Sequence, residues 1–173
     1  NTTASNNTAV GYQAGYSNTT GTRNAFFGAE AGRLTTGSYN NAFGYQSLTN
    51  NTSGQRNTAF GDVSLNGNTT ASDNTAIGWG AMISSSTGAN NTAVGGQSLY
   101  NNTTASNNTA VGYQAGYANT TGTGLTAIGY SALKDNTTGN YNTAIGINAL
   151  ENNTTASDNV SIGFASMTAN TTG

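Results

Sequence analysis

The sequence predicts an all-β rod: a parallel β-solenoid, or β-roll, of about ten 17-residue coils forming a single array over residues 1–173. Three observations predict it. Ten glycines, Gly11, Gly28, Gly44, Gly61, Gly78, Gly95, Gly112, Gly129, Gly146 and Gly163, follow one another at steps of 17, 16 and then 17 seven times. A unit this short lies below the two-helix and four-strand repeats and matches one coil stacked on the next. The residue before each of these glycines is large and apolar, which is the strand signal. Finally, the chain has no Pro in 173 residues, as suits a backbone whose N–H groups are nearly all needed between coils.

With the repeat glycine as position 0, each part of the coil has a physical reading. Position −1 holds Val10, Phe27, Phe43, Phe60, Ile77, Val94, Val111, Ile128, Ile145 and Ile162. Stacked at the ~4.8 Å spacing of neighbouring strands, these side chains are expected to form the core ladder. Position −2 is Ala or Ser in every coil but one, where Phe26 stands, and position +3 is Ala or Ser throughout. Since successive strand residues point to opposite faces, the −2 rank is expected to form a smooth face where another sheet or chain packs closely. Position +4 is Leu or Met except at Gly15, Gly32 and Gly116, where Tyr16, Leu34 and Tyr117 are nearby candidates to fill the space.

The rest of the coil reads as turn. Asn and Gly in the NTTG and NTTA segments tolerate left-handed backbone angles. A further Asn at position −4, absent only at Leu125, predicts a stacked ladder of amides at a corner of the coil. Arg56 and Asp73 are one repeat apart, and so are Lys134 and Glu151. The coil model therefore sets each opposite pair on adjacent rungs.

Composition removes several function classes. Only 34% of the chain is hydrophobic and 6% is charged, with four Lys and Arg against six Asp and Glu. That leaves material for a thin core but not for a phosphate-binding surface, so nucleic acid is not expected as a partner. No run of eighteen apolar residues exists, and no membrane insertion is expected. With no Cys and no His, thiolate and imidazole chemistry are absent. Glu30, Asp62, Asp73, Asp135, Glu151 and Asp158 are scattered over the repeat and form no recurring pair for acid and base work. An enzyme, a metal site and a cofactor are not expected.

Two surface features point to sugars or to ice. Asn18, Asn51, Asn68, Asn102, Asn119, Asn136, Asn153 and Asn170 each begin an N-x-[ST] sequon at one repeat position. They are candidate glycosylation sites that would line one edge. A Thr stands at position +8 in Thr19, Thr52, Thr69, Thr103, Thr120, Thr137, Thr154 and Thr171, a rank that an ice- or glycan-binding solenoid edge would use. Aromatics at position +1 (Tyr12, Tyr45, Trp79, Tyr113, Tyr130 and Phe164) read as packing or interface residues and, second, as a sugar-binding stripe.

Segments such as NTAVGYQAGY at Asn7 and Asn108, and NTAIGINAL at Asn142, resemble the head repeats of YadA-like trimeric autotransporter adhesins. They also resemble the NTAIGYxAL arrays of phage tail-fibre and related bacterial surface proteins. The resemblance covers all ten coils, and the repeat here is a few residues longer, with the surplus in the NTTG turn. It implies a left-handed, trimeric β-roll acting as shaft or adhesive head. The expectation is a slice of a longer extracellular fibre, on a cell-surface appendage or a virion, self-associated as a homotrimer or filament. Its outer partners would be host-surface or covalently attached glycans.

Overall fold

The computed structural model describes residues 3–171. Ten three-residue strands succeed one another at the repeat period. They are β1 (Thr8–Val10), β2 (Ala25–Phe27), β3 (Asn41–Phe43), β4 (Thr58–Phe60), β5 (Thr75–Ile77), β6 (Thr92–Val94), β7 (Thr109–Val111), β8 (Thr126–Ile128), β9 (Thr143–Ile145) and β10 (Val160–Ile162). They pair in parallel as one sheet in chain order, β1 to β10. Residues one repeat apart become neighbours, so Val94 pairs with Val111 and Ala93 with Ala110. The described residues contain no helix, and so no helix long and apolar enough to cross a membrane.

Three-residue strands need support from the rest of the coil. Position +2 donates its N–H to the coil before, as Gln46 does to Ala29 O at 2.9 Å, and position +4 donates to the coil after, as Leu48 does to Ser64 O at 2.9 Å. To aim these groups along the rod, positions +2, +4 and +12 adopt left-handed angles even where the residue is not Gly: Leu48 has φ 52°, Leu65 49° and Arg56 55°. Such angles cost an L-residue about 1–2 kcal/mol each. The buried bonds between coils and the burial of the +4 side chain offset that strain. At position 0 only Gly fits, because φ is 131° at Gly44 and a Cβ there would lie 2.6 Å from the carbonyl carbon of Gly61.

The core corrects the sequence reading. Inside the rod stand the small side chains of position −2, the Ala and Ser of +3 and the Leu and Met of +4: Ala59, Ser64 and Leu65 in one coil, Ala76, Ala81 and Met82 in the next, are all fully buried. The expected core ladder of Val10, Phe27, Phe43, Phe60, Ile77, Val94, Val111, Ile128, Ile145 and Ile162 lies on the outer face of the sheet instead. Seven of the ten are exposed, and Phe43, Val94 and Ile145 are half-buried. Strand alternation forces one of positions −2 and −1 outward. The interior is so shallow that, with a Leu already projecting from +4, the strand opposite has room only for Ala.

Phe26 is the exception that supports this account. It is buried at the −2 position, and the +4 residues of its own coil and of the coil before are Gly32 and Gly15. A Cβ on Gly15 would lie 2.9 Å from Phe26 Cδ2, so the phenyl ring occupies the space that Leu takes elsewhere. Neither Tyr16, which is 73% exposed, nor Leu34 fills it. At Gly116 the space is taken by Leu99, whose Cδ2 would meet an added Cβ at 2.9 Å, and not by Tyr117.

Candidate interaction surface

The outer face of the sheet carries two columns, position −1 and position +1, either side of the repeat glycine. Mid-array exposures are 56% at Phe60, 39% at Ile77, 56% at Trp79 and 52% at Tyr130. These are large values for apolar groups in a regular sheet. The columns are internally ordered: Phe27, Phe43 and Phe60 stack with ring centroids 4.8 and 5.5 Å apart, and Tyr113 stacks on Tyr130 at 5.6 Å. From β1 to β10 the −1 column runs about 43 Å at the strand spacing. An unbroken apolar stripe of this length differs from the singly scattered hydrophobes of an ordinary surface and is the candidate for an interface. The sequence signal for it was strand alternation. A uniformly small rank at −2 beside a uniformly large one at −1 leaves the large one outside whenever the coil is narrow.

The sequon asparagines lie inside the rod. Asn51, Asn68, Asn102, Asn119, Asn136 and Asn153 are 0% exposed, Asn18 is 3% exposed, and Asn170 is half-buried at the last described coil. Their amides form a ladder: Asn119 Nδ2 donates to Asn102 Oδ1 at 3.0 Å and to Gly122 O at 2.9 Å, and Asn136 repeats the pattern onto Asn119 and Gly139. Nδ2 is the atom a glycan would occupy, so the expectation of a glycosylated edge is withdrawn for these positions. Turn chemistry and interior hydrogen bonding account for the NTT motif.

The position −4 asparagines form the second ladder that the sequence predicted. Asn74 accepts the backbone N–H of Asn91 on Oδ1 at 2.9 Å, while its Nδ2 donates to Gly88 O at 2.8 Å. Leu125 interrupts it and joins the apolar core at 2% exposure.

The threonine rank is regular but occupied. Thr52 Oγ1 donates to Thr69 O at 2.9 Å, and Thr103, Thr120 and Thr137 each donate to the carbonyl of the residue one coil on at 3.0 Å. The charge pairs are on adjacent rungs as expected: Arg56 Nε and Nη2 meet the two Asp73 oxygens at 2.6 and 2.9 Å, and Lys134 Nζ lies 3.8 Å from Glu151 Oε1. The hydrogen bond from Arg56 holds the Asp73 carboxyl below the usual carboxylate range, and the same bond raises Arg56. Among the described residues no three His, Cys, Asp or Glu cluster to hold a metal, and no pocket opens between the coils.

No family model, no curated protein and no solved structure matches this chain.

Proposed function

We propose that the array is a structural segment of an extracellular fibre, a cell-surface appendage or virion tail fibre, giving extension and adhesive display. Three copies would pack side by side with their −1 and +1 columns turned toward a shared axis. The observation that carries this reading is the continuous outward column from Val10 to Ile162, with Phe60, Ile77, Val111 and Ile128 exposed in mid-array. A stripe parallel to the rod is buried along its whole length by copies lying side by side, and closed rotational symmetry satisfies every copy equally. The resemblance to trimeric head and tail-fibre repeats points the same way. Thr104, Asn107, Thr138 and Tyr141, on the exposed turns, would stay outside such a bundle and be available for display.

The test is the mass in solution. Light scattering on the purified chain is expected to give three times the 17.4 kDa monomer, and Ile77→Lys with Val111→Lys is expected to convert it to a folded monomer. A dimer would overturn the three-fold arrangement. A monomer at tens of micromolar would overturn the shaft reading itself.

A further inference from the structure

Coil five breaks the interior amide ladder. Position +7, Asn in the coils on either side, is Ser85, and Ser85 is fully buried. Four polar groups converge on the missing amide. Asn68 Oδ1 and Ser85 Oγ are buried without a hydrogen-bond partner. Where the coil before also carries Asn at +7, Nδ2 donates twice, to that Asn and to the carbonyl at +10, as Asn153 does to Asn136 Oδ1 at 2.9 Å and Ala156 O at 3.0 Å. Asn102 Nδ2 makes the second of these bonds, to Ala105 O at 3.0 Å, and finds a serine where the first acceptor would stand. Gly88 O receives Asn74 Nδ2 at 2.8 Å but not the second amide that Gly122 O and Ala156 O receive from their own coils.

From this convergence we propose that coil five holds one internal water molecule in the place of the absent side-chain amide. Two donors and two acceptors match what the four groups lack. The water donates to Asn68 Oδ1 and Gly88 O, and accepts from Asn102 Nδ2 and Ser85 Oγ. Ser has two heavy atoms fewer than Asn, which frees a space close to the roughly 30 Å³ share of one water. Buried waters with three or four such partners are integral to the fold, whereas orphaned polar atoms in an apolar interior are not tolerated cheaply. The inference concerns the interior and stands independently of how copies associate.

Ser85→Asn places Nδ2 where the water would sit and releases the water. The thermal midpoint is expected to rise by about 2–4 °C, the shift that freeing one immobilised water produces in a chain of this size. A high-resolution crystal structure of the unaltered protein is expected to show a single density peak within hydrogen-bond distance of Asn68 Oδ1 and Gly88 O, and that of Ser85→Asn is expected to show an amide there. A midpoint that falls or does not move on Ser85→Asn would overturn the proposal. So would Asn68 and Asn102 closing directly on one another without a peak between them.

Discussion

Phe26 and Gly32 share one space. A Cβ on Gly32 would come within 2.5 Å of Phe26 Cε1, so the largest side chain of the core exists only because its own coil gives up the +4 side chain. The pair shows how narrow the interior is: the wall opposite each Leu admits Ala, and a ring on that wall requires glycine across from it.

Phe26→Ala is therefore expected to lose about 3–5 kcal/mol, the range for emptying an aromatic site that cannot collapse. Adding Gly32→Leu to Phe26→Ala should restore much of it, since Leu48, Leu65 and Leu99 already accept the same backbone angle at this position. Urea denaturation of the single and double variants checks this, and a double variant no better than the single one would refute the shared-space account.

Val63 points to a stabilising change. It holds φ 53°, a region costly for a β-branched residue. Its side chain is half-buried and adds little to the core. Val63→Asn should raise stability by about 0.5–1 kcal/mol, because Asn enters the left-handed region with least strain. Chemical denaturation at fixed pH measures it.

The ladder amides must donate, and this predicts an unusual pH response. In Asn119→Asp the new carboxylate cannot donate to Asn102 Oδ1 or Gly122 O, and burial disfavours its charge. Its folded pKa is raised above the unfolded value, so the variant should approach normal stability in mild acid and lose it as pH rises toward neutrality. Thermal midpoints at pH 4 and pH 7 test the sign, with the unaltered chain as reference.

Asp73 runs the other way. Its folded pKa is lowered by the Arg56 hydrogen bond, so the stabilisation it contributes is present at neutral pH and is lost as pH falls below the usual carboxylate range. NMR titration should find the Asp73 carboxyl shifted down, and Arg56→Gln should return it to the ordinary value. Because the pair is exposed, added salt should weaken the effect.

Periodicity alone placed most of the backbone. The spacing of the repeat glycines located every strand from Thr8–Val10 to Val160–Ile162, since side chains that recur at one period become vertical neighbours as soon as coils stack. The pairing of Arg56 with Asp73 and of Lys134 with Glu151, and the corner ladder of Asn at −4, follow from that same registry. These are properties of a one-dimensional stack, and one-dimensional information suffices for them.

What needed the folded chain was the third dimension of each coil. Alternation along Thr92, Ala93 and Val94 divides them between two faces but does not say which face is inside, and the opposite assignment was the natural one on hydrophobicity. The decision rests on how closely the far wall approaches, set by the left-handed residues at +2 and +4 and by Leu99 filling the gap. The same closure drew Asn119 and Asn136 inward, where their amides hydrogen-bond in place of water, so that residues resembling glycan acceptors are interior struts. The linear order of residues dictated the rung, the register and the rod. Only closure of the coil decided that its bulky side chains face outward, because the distance across so thin a core is fixed by contacts between segments that no local pattern records.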